Sequence, residues 1–455
     1  MSSAGDGQRQ DVAHPSDQPG TPPEPVGPIL ELATGAIAAG GGCVAHAGDG
    51  RVVFVRHALP GERVLAQVTS ETSSFLRADA VEVLESSPDR VPVPCPHAGP
   101  GRCGGCDWQH VSLPAQRSLK AALVSEQLHR LAGIDRSVEV EEVDGAPEGL
   151  GWRTRVRFAV DRSGRTGLRR HRSRAIEPVG ECPIATRAVN EVGVGTVPWR
   201  GAHHVEVSVS PDGGSPMVSV ETGRTRLAGR PVIDAGLVVN GRTRRRPDRL
   251  RFDVEGNRFE VSSGVFWQVH PGAAALLTQC VLDGVRPMAG ERAADLYAGA
   301  GLFTVPLAQA VGPRGSVVAV ERSGRACSDA VRNAADLHQV EIIRSDVTES
   351  VVAARLGAPD VVVLDPARQG AGLAVMGALV ALDPAPRAIA YVSCDPASFA
   401  RDLRVMLDAG WTMPSLRAFD LFPMTEHVEL IGILTPVAAR RGPDPGSGSQ
   451  TRASC

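Results

Sequence analysis

The chain has 455 residues, 42% of them hydrophobic and 22% charged, which is enough apolar material to build cores in three domains. Its formal net charge of −3 excludes a protein that coats nucleic acid through its whole-molecule field, so any RNA contact has to come from local basic patches. No run of 18 apolar residues occurs, and the stretch MSSAGDGQRQDVAHPSDQPG lacks the apolar segment of a signal peptide, so a soluble, cytoplasmic protein without membrane contact is expected.

Residues 1–27 are rich in Pro, Gly, Ser and Asp and poor in large apolar side chains. Such a segment cannot offset the entropy of ordering and is read as a disordered tail. Residues 28–88 hold short β-rich pieces, among them RVVFVRHALPGERVLAQV and the alternating ADAVEVLE, divided by glycine-rich turns at Gly40 to Gly42 and Gly48 to Gly50. This pattern predicts a small OB-like barrel, a common oligonucleotide-binding shape. A central β-rich domain is expected over 89–262. It opens with a cysteine-rich loop and the amphipathic helix LPAQRSLKAALVSEQLHRLAGI, which ends at Gly133 and carries Lys120, the one lysine of the chain.

From 263 to 436, strand-like runs (AADLYAG, SVVAVE, DVVVLDP, AIAYVSCDP, VELIGIL) alternate with helical stretches. That is the signature of an α/β fold with a doubly wound, Rossmann-like sheet. Residues 437–455 read as a second disordered tail. No internal repeat, coiled-coil or self-complementary pattern occurs, and a monomer is expected.

Within the α/β segment, Asp295-Leu296-Tyr297-Ala298-Gly299-Ala300-Gly301 is a strand followed by Gly-x-Gly, which lets backbone approach a ligand at a helix start. Glu321 ends the next strand, where a carboxylate can take both ribose hydroxyls of an adenosine-type ligand, a dinucleotide included. Asp346 ends the third strand step; it could accept from an adenine amino group or be a solvated loop residue. Cys394, in YVSCDP, directly follows an apolar strand at the edge where open sheets bind ligands. Taken alone it reads as a buried structural cysteine. Its company is Asp365 in DPAR after the preceding strand and Glu429 in FPMTEHVE before another. A thiolate adding to C6 of uracil turns the ring into an enolate, after which a base must remove the C5 proton.

Together these residues resemble the RNA 5-methyluridine methyltransferase family of the TrmA/RumA type, through its adenosylmethionine, DPAR, SCDP and FP…H-x-E motifs. The resemblance implies a class I methyltransferase sheet using S-adenosylmethionine. It makes Cys394 the nucleophile and Glu429 the base, with Asp365 holding the uracil polar edge; Glu426 is a rival carboxylate that matches no motif position. It assigns Gln268, in FWQVH, to the adenosylmethionine site with Tyr297, Gly299, Gly301, Glu321, Asp346 and Asp365, and gives Phe266 the task of stacking on a flipped-out base.

Nine cysteines in a long, intracellular chain point to metal binding or catalysis where they cluster. Cys95, Cys103, Cys106 and the distant Cys182 supply four thiolates, the ligand count of a cubane iron-sulfur cluster or of structural zinc. The resemblance extends to CPHAGPGRCGGCDWQH and ECPI and implies a [4Fe-4S] cluster, although the first gap is two residues longer than the family pattern. Zinc is the alternative, with His97 or His110 as substitute ligands.

Arg153, Arg155 and Arg157 alternate in WRTRVRFAV and would share one strand face as a phosphate-binding patch, with Arg162, Arg165, Arg169, Arg170, Arg172 and Arg174 close behind. A second run from Arg242 to Arg249 is a weaker candidate, since charge runs are usually solvated loops. The early barrel resembles a TRAM domain, which favours ribosomal RNA over tRNA as the partner. Three other readings compete. A cytosine-C5 methyltransferase would carry Pro-Cys or Thr-Cys rather than Ser393-Cys394-Asp395-Pro396. A non-catalytic RNA-binding protein on the same scaffold would show erosion at Cys394, Glu429 or the glycines. A dehydrogenase would want glycine where Thr304 stands.

Overall fold

Alternating burial builds the first sheet. In the computed structural model, which describes residues 27–229 and 231–437, β1 (Ile29–Ala33), β2 (Cys43–His46), β3 (Val52–Arg56), β4 (Arg63–Glu71) and β5 (Phe75–Glu85) run in the order β1-β4-β5-β3-β2. The terminal strands β1 and β2 meet again, closing the sheet into a barrel. Val53, Val55, Val64, Ala66 and Val68 point inward at every second position, and Trp108 and Leu123 from the next segment complete this core. The tail readings for residues 1–26 and 438–455 lie outside the described residues.

Helix α1 (Leu113–Gln127) starts with Pro114 in its first turn, continues through a wider turn over Leu128–Ala132 and stops at Gly133, whose φ of 70° suits glycine. Ala115 and Leu123 face the barrel, while Val124 and Leu128 face the later α/β core, so α1 ties the two together. A short strand, β6 (Val140–Glu142), follows. The central sheet then comprises β7 (Arg155–Val160), β8 (Thr166–Arg169), β9 (Ile176–Pro178), β10 (His204–Ser208), β11 (Met217–Glu221), β12 (Gly236–Val239) and β13 (Arg242–Arg245), with α2 (Arg187–Glu191) packed between. Its order is β13-β12-β11-β10-β7-β8-β9, over a core of Trp152, Phe158 and Trp199. A hairpin, β14 (Arg249–Val254) and β15 (Asn257–Ser262), stacks Phe252 on Trp267 with ring centroids 4.8 Å apart and leads towards α3 (Ala273–Val285).

The third sheet is the α/β layer. It comprises β16 (Arg292–Leu296), α4 (Thr304–Val311), β17 (Ser316–Glu321), α5 (Gly324–Asn333), β18 (Val340–Arg344), α6 (Glu349–Arg355), β19 (Val361–Leu364), α7 (Leu373–Val380), β20 (Ala388–Ser393), α8 (Pro396–Asp408), β21 (Trp411–Asp420) and β22 (Glu429–Pro436). The strand order is β18-β17-β16-β19-β20-β22-β21-β6, with β16 to β20 parallel and β22 antiparallel to both neighbours. Val361 to Leu364 are all buried, as a central parallel strand covered on both faces requires. Its outermost strand, β6, comes from far earlier in the chain. The order reverses between β16 and β19, and at such a switch point the carboxyl ends of the strands leave a crevice for a ligand. Among the described residues no helix is long and apolar enough to cross a membrane.

Candidate active site

Sheet register sets the site. Leu296 pairs with Leu364, Leu364 with Tyr391 and Ser393 with Leu430. Tyr297, Asp365, Cys394 and Glu429 therefore emerge along one edge, on four adjacent strands, with Glu321 one strand further on. Because β22 runs antiparallel, it is the first residue of the strand, Glu429, that reaches the edge where β20 ends just before Cys394.

The cofactor end is a left-handed turn. Tyr297 (φ 66°), Gly299 (φ 58°) and Gly301 (φ 93°) all take positive φ, a conformation that costs a side chain and suits glycine. Glu321 braces the turn: its carboxylate accepts from the N–H of Gly299 at 3.0 Å and of Ser323 at 2.6 Å. No atom lies within 4 Å of where a Cβ on Gly299 would stand, so there is room for a ligand against the backbone. Beneath it, Asp295 is sealed and accepts from Thr304 Oγ1 at 2.5 Å, while its other oxygen has no partner; burial pushes its carboxyl up to about 7. Thr304, where a dehydrogenase would have glycine, thus holds the acidic strand end. Asp346 stands exposed, 3.5 Å from Arg322, in the loop just after the outermost strand β18.

The reacting end is sulfur among carboxyls. In Ser393-Cys394-Asp395-Pro396 the Asp395 side chain caps α8 by accepting from Ser398 N at 2.7 Å, and Pro396 occupies the first helical position. Strand end and helix start are thereby fixed on either side of the half-buried Cys394. Burial pushes its thiol up to about 12; the nearby Glu429 and Asp365 add to the rise, and Arg368 opposes it. Glu429 is 4% exposed, and burial followed by the charge of Asp365 raises its carboxyl well above the ordinary range. Asp365 is raised in turn by burial and by Asp295. Three carboxyls thus stand in a chain in which each raises the proton affinity of the next. Arg368, to which the sequence motifs give no role, lies with Nη2 2.8 Å from His427 Nε2, a contact that ties the DPAR turn to the segment before Glu429. The rival Glu426 accepts from Gly40 N of the barrel at 2.5 Å, and burial followed by the charge of Asp107 raises its carboxyl to about 7.

The residues expected to face RNA divide. Phe266 is 63% exposed, a large aromatic surface open to a base. Gln268, expected at the adenosylmethionine site, is half-buried and, with Arg155 and Trp267, borders a small cleft between the central sheet and the hairpin. Arg155 and Arg157 share a face of β7 as alternation requires, but Arg155 is engaged within the protein: it pairs with Glu206 at 2.6 Å and donates to Val265 O at 2.6 Å. Arg157 is exposed and pairs with Glu221, and Arg153 donates to Arg155 O beside the Trp152 ring. Downstream, Arg165 pairs with Asp161 and Arg170 with Glu177. The second arginine run forms β13, an edge strand with all four residues exposed.

Cys95, Cys103 and Cys182 are buried and Cys106 half-buried, with no disulfide among them. They share one neighbourhood: burial raises Cys106, Cys103 and Cys182, and each feels the charge of others in the set. Among the described residues no three His, Cys, Asp or Glu side chains close around a point as single-ion ligands would. The histidines considered as substitutes are turned elsewhere, His97 to 3.7 Å from Glu177 and His110 to 3.5 Å from Ala58 O.

Comparison with known proteins agrees with this geometry. A family model described as TRAM domain matches residues 35–81. An RNA methyltransferase of Streptomyces avermitilis is 45% identical over 437 residues, covering 91% of this chain and 99% of that protein. The 23S rRNA (uracil(1939)-C(5))-methyltransferase RlmD of Alkalilimnicola ehrlichii is 32% identical over 443 residues, 89% of this chain and 96% of its own. Among solved structures, the Pyrococcus abyssi tRNA (uracil-54, C5)-methyltransferase, bound to S-adenosyl-L-homocysteine, superposes with a TM-score of 0.67 at 21% identity, over 89% of this chain and all of that one. On the fold, the strand-edge motifs and these full-length relatives, the chain belongs to the RNA 5-methyluridine methyltransferase family, S-adenosylmethionine-dependent class I enzymes, here with an N-terminal TRAM domain.

Proposed function

We propose that this enzyme methylates C5 of a uridine in RNA, with ribosomal RNA the favoured substrate, through a covalent bond between Cys394 and C6 of the base. The observation that carries the reading is the convergence of Cys394, Asp365 and Glu429 on three neighbouring strands beside the glycine turn. Ribosomal RNA is favoured by the full-length similarity to a 23S rRNA enzyme together with the TRAM match. The work divides between an RNA-binding barrel over 28–88, a central domain over 89–262 and a catalytic domain over 263–436, in the cytoplasm.

Tyr297, Gly299, Gly301, Glu321 and Asp346 line the cofactor end, with Gln268 completing it. Bound S-adenosylmethionine supplies an electrophilic methyl group on a sulfonium, which departs as a neutral sulfide. Cys394, as thiolate, adds to C6, and the C5–C6 π pair moves into an enolate through C4 and O4. Asp365, whose proton affinity burial and Asp295 raise, donates in its protonated form to the polar edge of the ring and holds that charge. C5 takes the methyl group while still carrying its proton. Glu429, as carboxylate, then removes the proton; the freed pair restores the C5–C6 double bond and Cys394 leaves as thiolate. Phe266, exposed to solvent, stacks on the extruded base, and Arg153 and Arg157 contact phosphates.

Cys95, Cys103, Cys106 and Cys182 hold a [4Fe-4S] cluster with a structural role. Cysteines raised by burial would ionise there only with a cation's charge beside them, and these four would supply the thiolate count of a cubane cluster, which would tie the loop to the segment around Cys182.

The test is methyl transfer from labelled S-adenosylmethionine to unmodified ribosomal RNA and, separately, tRNA, each digested to nucleosides, with Cys394→Ala as control. Labelled 5-methyluridine from ribosomal RNA, lost in the control, is expected. Label from tRNA alone would reassign the substrate, and label from neither RNA with metal-replete protein would sink the reading.

A further inference from the structure

Glu429 is held on one side by the sheet, since it pairs with Phe419 and stands next to the Cys394 end of β20. On its other side runs a strap, residues 421–428, with no regular secondary structure. Backbone polar groups in such a strap must find partners outside a ladder. Some find them within the strap, as Thr425 N does on Phe422 O, and the rest in two segments hundreds of positions away, the stretch after Cys106 and α1.

Met424 is the centre of the strap. It is 5% exposed and has φ 69°, a strained value for a side-chain-bearing residue that persists only where its surroundings over-determine it. Its N–H donates to Gln116 Oε1 at 2.8 Å. Its carbonyl accepts from the N–H groups of Asp107 and Trp108, both at 3.0 Å, directly after Cys106. Its sulfur lies 3.4 Å from Gln116 Nε2. That same Nε2 donates to the carbonyls of Trp108 at 3.1 Å and Val111 at 2.9 Å. One sealed carboxamide on α1 thus fastens the cysteine-loop segment and the strap to each other. The flanks are pinned as well: Lys120, one turn further along α1, donates to Asp420 at 2.5 Å and to Phe422 O at 3.1 Å, and Gly40 of the barrel donates to Glu426.

We propose that Gln116 is a positioning residue for the proton-removal step: by clamping Met424 it sets where the strap delivers Glu429. The inference rests on the reaction proposed above. An ångström of misplacement at a catalytic group costs on the order of 100-fold, and the step affected is the last chemical one. If Glu429 is displaced, Cys394 still adds to C6 and the methyl group still reaches C5, but the adduct cannot eliminate. A Gln116 that merely stabilised the core would not distinguish between these steps.

The experiment is Gln116→Met, which keeps the side-chain volume and removes both the acceptor for Met424 N–H and the donors to Trp108 and Val111. Gln116→Glu keeps the acceptor, and Glu429→Gln serves as reference. Each protein is incubated with RNA and labelled S-adenosylmethionine, and the denaturation-resistant protein–RNA adduct and the released 5-methyluridine are measured, with melting curves as a check on folding. For Gln116→Met the expected result is a kcat lowered about 10- to 100-fold with KM for RNA within about twofold, and adduct accumulating per folded molecule; Gln116→Glu should fall between it and wild type. Adduct and product falling in step with the folded fraction, or an unchanged kcat, would overturn the inference. If Glu429→Gln itself accumulates no adduct, it is the reading of Glu429 as the base that fails, and the two failures are told apart.

Discussion

The active edge and the cysteine loop both depend on sulfur, but they place it by different means. Cys394 needs no ligand to find its position. Parallel register fixes β20 beside β19, and a helix cap on the very next residue anchors the start of α8. The loop cysteines have no strand or helix cap of their own: Cys95 and Cys106 lie in irregular chain, Cys103 makes a single β-bridge to Arg170, and Cys182 opens a turn before α2. Their thiols are gathered without being joined. A site built on register is finished by folding, whereas one built on loops is finished by whatever it binds.

The sharpest way to exploit this contrast is to damage the register-built edge chemically and leave its geometry alone. Glu429→Gln is isosteric, so strand, strap and thiol keep their places while the base is lost. A loss of about 100- to 10,000-fold in kcat is expected from removing a general base, with adduct accumulating on denaturing gels and no change in melting temperature. A variant that melted several degrees lower would show that the edge does depend on its charged groups for stability, and the comparison would break there.

Cys182→Ser probes the other region. Loss of one thiolate from a ligand-built site should appear mainly as stability, since the site's binding energy is also folding energy. We expect loss of bound iron and sulfide and a melting temperature lowered by roughly 10 °C, at about 2–4 °C per kcal/mol for a domain of this size. Turnover per folded molecule should fall much less than in Glu429→Gln. Zinc in place of iron and sulfide in the purified wild-type protein would overturn the cluster assignment and retain the contrast.

Legibility in the sequence divides along the same line. Cys394, Asp365, Glu429, Glu321 and the glycine turn were legible because each sits at the end of an apolar strand, where local pattern fixes both element and edge. Gln116 and Lys120 were not, because their partners lie 308 and 300 residues away. The local trace is Gln116 and Lys120, buried with Gln127 on the inward face of a helix among Ala115, Leu123 and Val124. The partners of the β7 arginines were hidden for a related reason. Alternation correctly put Arg155 and Arg157 on one face, but Glu206 and Glu221, which engage them, come from β10 and from the end of β11, and cross-strand pairing cannot be read along the chain.

The smallest effect tests the carboxyl chain at the active edge. Burial raises Glu429, and Asp365 adds to that rise. As a base, Glu429 must be ionised, so kcat should climb with pH along a limb lying above the ordinary carboxylate range. Asp365→Asn removes the neighbouring charge, and the limb should move to lower pH even though kcat itself drops with the lost donor to the uracil ring. Linkage gives an independent sign. A carboxyl whose folded pKa exceeds its unfolded value of about 4 binds protons more tightly when folded, so wild-type stability falls as pH rises from there towards the value of about 7 to which Asp365 is pushed. Asp365→Asn has one such group fewer and should gain in melting temperature over wild type, by a few degrees at most, between pH 5 and pH 8. A limb that stays in place together with an unchanged stability difference would mean that the two carboxyls do not sense each other, and that register brings them to one edge without bringing them into one site.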